Sequence, residues 1–289
     1  DTYIRRYMIS HFKEPVDIAS SNFSEEATIF GGGRIFSEGI NNVISQYHPE
    51  VIGIASTCLS ETIGEDIPGL IQTYTSQHSG KNLPIFVHTS TPSYKGTHMN
   101  GFHDTVAAVV KSLAKATHRS RSIALFPGFL SPADLRHLKE IMESFQAEYI
   151  LFPDYSTTLD GTNWSHYQHI PEGGTTVSEL VSLGSSKASI ELGVIFNNGI
   201  SAGSWLNESF GIKNYSTPIP VGIGLTDQFM DTLRNITGKD LPAFLKNQRG
   251  RLIDSYIDGH KYVFGKKAII YGEEDLVISM VAFLSEIGI

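Results

Sequence analysis

The 289-residue sequence predicts an α/β fold built from tandem Rossmann-like, doubly wound parallel-sheet domains. Two observations carry that expectation. Short β-branched, apolar runs alternate with longer amphipathic segments, as parallel strands alternate with crossover helices. Runs such as VIGIA (51–55) and SIALF (122–126) are apolar throughout, as strands covered on both faces are.

Strands are expected at 51–55, 84–88, 122–126, 148–152, 216–221 and 267–271. Helices are expected at 36–47, 64–77, 102–116, 132–145, 226–237, 242–263 and 274–286. The helix at 132–145 shows the reasoning. Ser131 can cap it and Pro132 suits its first turn. Leu135, Leu138, Ile141, Met142 and Phe145 recur every three or four residues and form one buried stripe. These elements group into a first Rossmann-like domain over 1–119 and a second over 120–225. Residues 226–289 supply a helical connection and the opening of a third, truncated domain. Asp1 at one end and the run VAFLSEIGI at the other read as the edges of a fragment. Residues 154–174 form a long polar loop, a type of segment that is often functional.

Composition narrows the function classes. Hydrophobic residues make up 40% and charged residues 18%, which suits a globular protein. A net charge of −8 argues against nucleic acid or an anionic membrane as partner. No apolar run reaches the roughly 18–20 residues of a membrane helix, and DTYIRRYM lacks the apolar core of a signal peptide. The single cysteine, Cys58, excludes an internal disulfide and points to a reducing, cytoplasmic setting.

Ligands of open α/β sheets sit beyond the carboxyl ends of strands. The expected strand 51–55 runs straight into Ser56-Thr57-Cys58, and the next runs into Thr89-Ser90-Thr91-Pro92-Ser93. A thiol and a hydroxyl are thereby aimed at one crevice. By position alone, Cys58 is either a group in that crevice or a small buried hydrophobe. Ser93 lacks the glycine elbow of a hydrolase. The Gly31-Gly32-Gly33 run follows no clear strand, which weakens a dinucleotide reading.

Six separated segments carry a resemblance: HFKEPVDIASSNFSEEATIFGG, STCLSETIGED, HTSTPSYKGTHMNGF, FPGFLSPAD, EGGTTVSEL and RGRLIDSYIDGHKYVFGKK. In this order they resemble the β chains of nitrogenase molybdenum–iron proteins, over essentially the whole length. The resemblance implies an electron-relay subunit of an α2β2 complex that reduces dinitrogen to ammonia. It implies an 8Fe-7S P-cluster shared with the α chain, with Cys58 as a thiolate ligand and Ser93 as a hydroxyl ligand of the oxidised cluster. The family's other β-chain cysteines fall upstream of Asp1, so this fragment alone is not expected to be active. The iron–molybdenum cofactor is expected in the partner α chain only.

Three further sites follow from the resemblance. Phe30 matches a docking position for the ATP-hydrolysing iron protein. Tyr3 matches a tyrosine on the electron path. Glu14, Asp254 and Asp258 match a calcium-like cation site between two β chains. Asp254 and Asp258 stand at i and i+4, where two carboxylates share a helix face and repel unless a cation or base neutralises them. The rival readings are a vanadium or iron-only β chain, a nitrogenase-like reductase, a cofactor-assembly scaffold, and a sugar- or nucleotide-binding Rossmann protein.

Overall fold

The computed structural model describes residues 18–21, 29, 31–116, 120–163, 165–166, 170, 172–195 and 201–289. The elements run α1 (Gly33–Tyr47), β1 (Val51–Ala55), α2 (Cys58–Thr62), α3 (Ile67–Gln77), β2 (Ile85–Thr89) and α4 (His98–Leu113). They continue with β3 (Ile123–Phe126), α5 (Pro132–Ser144), β4 (Tyr149–Leu151), α6 (Val177–Ser182), a 3-10 turn (Leu183–Ser185) and β5 (Ala188–Leu192). The remainder is α7 (Ala202–Phe210), β6 (Asn214–Thr217), α8 (Gly222–Thr237), α9 (Ala243–Val263) and α10 (Glu274–Glu286). The chain divides into two compact units, Asp1–Ala114 with Asp154–Leu180, and Lys115–Pro153 with Val181–Ile289. No described helix is long and apolar enough to cross a membrane.

In the first unit, β1 and β2 pair in parallel, with Val51 opposite Ile85 and Ala55 opposite Thr89. Ile40, Ile52 and Tyr74 form the centre of its core, with Phe36, Val43, Ile44, Ile54, Leu83 and Phe86 packed around them. Uniform burial was expected of β1, yet Gly53 and Ala55 are exposed. Among the described residues this sheet has only two strands, and α1 and α3 cover it through the Ile52 side. The expected helix 64–77 is two helices. Gly64 adopts φ +73°, a left-handed conformation that glycine enters without steric cost. Asp66 then caps α3 by accepting the Gly69 N–H at 3.0 Å. Helix α4 starts four residues earlier than expected, at His98. Thr97 and Asn100 cap each other reciprocally there, with Asn in the place Glu or Gln usually fills.

In the second unit, four parallel strands take the order β4-β3-β5-β6. The chain winds outward from β3 to β4, then crosses back to β5 and β6, which is the doubly wound arrangement. β3 and β5 are buried at every position. Helix α5 behaves as its sequence dictates. The Ser131 hydroxyl accepts the Asp134 N–H at 3.2 Å, and Leu135, Leu138, Ile141, Met142 and Phe145 are buried.

Three expectations in this unit are corrected. Strand β5, which the sequence reading did not mark, lies at the centre of the sheet. Its Glu191 is 3% exposed and accepts hydrogen bonds from the Gly203 N–H at 2.8 Å, Asn214 Nδ2 at 2.7 Å and the Ser201 hydroxyl at 2.7 Å. Strand β6 ends at Thr217, not at 221, because Pro218 and Pro220 remove the donors a continuing strand needs. Residues 267–271 form no strand. Ile269 and Tyr271 are 95% and 93% exposed, and no described strand pairs with this stretch to satisfy its backbone.

The segments beyond β6 are fastened by carboxylates. Glu286 of α10 accepts the N–H groups of Ile223 at 2.8 Å and Gly224 at 2.7 Å, so it caps α8, whose own cap residue offers no side chain bond. Tyr256 of α9 donates its hydroxyl to the same carboxylate at 3.2 Å. Asp275 is buried and accepts the Val194 and Ile195 N–H groups at 2.7 and 3.2 Å. Arg249 and Asp227 join α9 to α8 by two parallel bonds of 2.7 Å.

Two predictions follow from these carboxylates. Glu191→Ala leaves one buried and two partly buried donors without their acceptor and is expected to destabilise the chain by roughly 2–4 kcal/mol. Urea titration should show a lower midpoint, with Glu191→Gln intermediate. Burial, and then the Glu286 carboxylate, push the Tyr256 phenol up to about 12. Its folded value lies above the ordinary tyrosine value, so its contribution to stability is fully present below that ordinary value. The contribution is lost as pH rises through the folded one. Glu286→Gln should bring the phenol back down in a spectrophotometric titration read as a difference from Tyr256→Phe.

Candidate functional site

Parallel pairing brings the carboxyl ends of β1 and β2 side by side, and hydrogen bonds continue past them. The Ser56 N–H donates to the Thr89 carbonyl at 3.0 Å. The Thr91 N–H donates to the Ser56 hydroxyl oxygen at 2.9 Å, and the Thr91 hydroxyl to the Ser56 carbonyl at 2.8 Å. The two loops therefore leave the sheet as a locked pair. Ser56 is 4% exposed.

After Ser56 the chain turns at once into α2. Thr57 caps it with Ser60 in a reciprocal arrangement, the Thr57 N–H donating to Ser60 Oγ at 2.9 Å. Cys58 is the first helical residue. In the other loop, Pro92 is buried and Ser93 is exposed. The outcome is a direct meeting of the two groups the sequence singled out. Cys58 Sγ lies 2.9 Å from Ser93 Oγ, and the Ser93 N–H donates to the same sulfur at 3.2 Å.

The electrostatics follow from these bonds. The Ser93 hydroxyl, and next the Ser93 N–H, hold the Cys58 thiol below its ordinary range, because both stabilise the thiolate. Cys58 is half-buried. The pair offers a soft and a hard donor on one open face.

Glu61, on the next turn of α2, was not singled out by the sequence reading. Its Oε1 accepts the Ser56 hydroxyl in a short hydrogen bond and the Ser90 hydroxyl at 2.6 Å. Those two bonds, Ser56 first, hold its carboxyl below the usual range, aided by the charges of His88 and Lys95. Burial pushes His88 down, and Glu61 partly offsets this. Among the described residues, His88 Nε2 is buried without a hydrogen-bond partner. A Ser two residues before the cysteine and a Glu three after it was the available sequence signal. It becomes legible only once β2 brings Ser90 alongside.

The remaining site expectations are placed as follows. Asp254 and Asp258 stand exposed on α9. Among the described residues, no three His, Cys, Asp or Glu side chains group closely enough to hold a metal ion. Tyr3, Glu14 and Phe30 lie outside the described residues.

The whole chain, residues 1–289, matches the family described as nitrogenase component 1 type oxidoreductase. It is 36% identical over 99% of its length to the nitrogenase molybdenum–iron protein β chain of Clostridium pasteurianum, covering 62% of that protein. It is 30% identical to the corresponding chain of Methanococcus maripaludis, covering 64% of it, and 31% identical to that of Nostoc sp. strain PCC 7120, covering 56%. The chain thus spans about 60% of the length of these relatives. A solved structure of nitrogenase Cp1 at pH 6.5 superposes with a TM-score of 0.92 at 36% identity, over 99% of this chain and 62% of that one. A chain from the same protein at pH 5, 16% identical with a TM-score of 0.61, shares the fold. With a family match along its entire length, and a parallel α/β architecture that agrees with it, the chain belongs to the nitrogenase component 1 type oxidoreductases.

Proposed function

We propose that this chain is the β-chain part of a nitrogenase molybdenum–iron protein. In this reading it relays electrons through an 8Fe-7S P-cluster shared with an α chain, in support of ATP-dependent reduction of dinitrogen to ammonia. The observation that carries the reading is the 2.9 Å approach of Cys58 Sγ and Ser93 Oγ at adjacent strand ends. Whole-length similarity to molybdenum–iron protein β chains supports it.

The donor set fits such a cluster in part. Thiolates hold iron–sulfur clusters, and a deprotonated hydroxyl, a harder oxygen ligand, suits a more oxidised iron. Cys58 is the chain's single cysteine, so the remaining thiolates come from outside these 289 residues, from the α chain among other sources. When bound, the cluster supplies one-electron storage and release. The residues of this chain do the rest. Cys58 offers a sulfur whose anionic form is already favoured by two Ser93 donors. Ser93 holds a proton at Oγ within reach of that sulfur, and its deprotonated oxygen would be the hard ligand for an oxidised iron of the group. The locked loops fix the distance between the two.

The partner assignments rest on the same reading. The assembly is α2β2 in the cytoplasm, with the iron–molybdenum cofactor in the α chain and an ATP-hydrolysing iron protein docking near Phe30. Tyr3 stands on the electron path, and Glu14, Asp254 and Asp258 bind a calcium-like cation between two β chains. Cys58 and Ser93 then sit in the first of three Rossmann-like domains, divided near residues 119 and 225. Residues 226–289 open the third.

Two experiments test these assignments in the assembled complex. Cys58→Ala is expected to lose most P-cluster iron and electron delivery. Ser93→Ala should keep the iron but change the paramagnetic resonance spectrum of the oxidised state. A Cys58→Ala complex with parental iron content and electron delivery would end the reading. For the cation site, the Asp254→Asn, Asp258→Asn double variant should lose bound calcium on metal analysis and dissociate more readily at low protein concentration. Retention of stoichiometric cation would remove Asp254 and Asp258 from the site.

A further inference from the structure

We propose that Glu61 is the positioning residue of the Cys58–Ser93 pair, tying the turn that carries Cys58 to the segment that carries Ser93. The proposal rests on the reading of that pair as ligands of one shared group, but the clamp itself is a matter of geometry.

The residues form a closed circuit. Glu61 Oε1 accepts from Ser56 on its own loop and from Ser90 on the other. The Ser56 hydroxyl oxygen in turn receives the Thr91 N–H, and the Thr91 hydroxyl returns to the Ser56 carbonyl. Cys58 lies between the two members of the circuit on the first loop, Ser56 and Glu61. Ser93 lies two residues beyond its last member on the second, Thr91. The strand ladder stops at Ala55 and Thr89, and past the Ser56 N–H bond to the Thr89 carbonyl the circuit takes over as the restraint on loop separation.

A single carboxylate suits the task for two reasons. It accepts from both hydroxyls at once and has no hydrogen of its own to misdirect. Bonds to a charged acceptor are also roughly twice as strong as neutral ones. Its action also runs through Ser56. With the Ser56 proton committed to Glu61, the Ser56 oxygen is left facing the Thr91 N–H as an acceptor. Without Glu61 the Ser56 hydroxyl can rotate, and this buried group loses its defined role. Thr91 is then held by its own hydroxyl alone. The expected consequence is a wider, variable Cys58–Ser93 distance with the β1–β2 core unchanged.

Residue-resolved amide hydrogen exchange on the full 289-residue chain tests this. Glu61→Ala should speed exchange at the Thr91 and Ser93 amides by roughly tenfold, the effect of losing about one hydrogen bond. Val87, inside β2, should be unchanged. Glu61→Gln keeps an oxygen able to accept both hydroxyls and should restore most of the protection. General loosening of the fold would not be rescued in that way. Parental exchange at Thr91 and Ser93 in Glu61→Ala overturns the proposal, and so does a Glu61→Gln variant as unprotected as the alanine. If Glu61→Ala also exposes Val87, Ser90→Ala removes one arm of the clamp alone. It should speed Ser93 exchange severalfold, and an unchanged rate overturns the proposal. The two readings fail separately. Loss of the clamp leaves the iron content of Cys58→Ala complexes untouched, and parental iron in Cys58→Ala complexes leaves the exchange result standing.

Discussion

The register between β1 and β2 is the constraint from which the candidate site derives. Ala55 stands opposite Thr89, so the two chains leave the sheet at the same level. Three residues after one strand and four after the other, a sulfur and an oxygen meet. A slip of one residue would turn every side chain of a strand to the opposite face. It would also shift the second loop by more than 3 Å along the strand, well beyond hydrogen-bond reach. The apolar set Ile52, Ile54 and Phe86 packed with Ile40 and Tyr74 holds the register. In this way the hydrophobic core of the first unit brings the two strand ends level, and the hydrogen bonds beyond them complete the approach.

A second constraint recurs throughout the molecule. Where strands and helices end, backbone N–H groups lose their regular partners and must find others. In this chain, carboxylates distant in sequence take that role. Glu191 serves Gly203, Asp275 serves Val194 and Ile195, and Glu286 serves Ile223 and Gly224. The neighbouring glycines match these demands. A Cβ on Gly193 would approach Asp275 Oδ2 to 2.9 Å, and φ there is +138°. Glu61 uses the same chemistry on side-chain hydroxyls, so the site is built by a method the rest of the fold also uses.

This explains what could and could not be read from the sequence. Helix α5 was legible because its cap, its proline and its apolar stripe are all local. Cys58 and Ser93 were legible as strand-end residues because the rule for open α/β sheets depends only on where strands stop. Strand β5 was not legible. Its KASIEL run contains Glu191, and a buried glutamate makes sense only beside Gly203 and Asn214, 12 and 23 residues away. The run at 267–271 misled in the opposite sense. KAIIY reads locally as a strand, but a strand exists only where a partner accepts its hydrogen bonds, and composition does not encode a partner. Glu61 fell between these cases, since half of its bonding comes from Ser90, 29 residues away.

The exposure of the Cys58–Ser93 pair separates it from the buried polar groups of the second unit. Glu191, Ser189 and Asp275 are buried, and hydrogen bonds within their own unit occupy them. Burying an unpaired polar group is costly, and these three are paired. Cys58 is half-buried and Ser93 exposed, although hydrogen bonds tie together the loops that carry them. Orientation at a surface limits the conformational freedom of the chain, and folding alone requires no such limit there. It becomes useful when something outside the unit must meet both atoms in a set geometry. The shared group proposed above fits that requirement. An enclosed ligand would instead call for a sulfur and an oxygen that point inward.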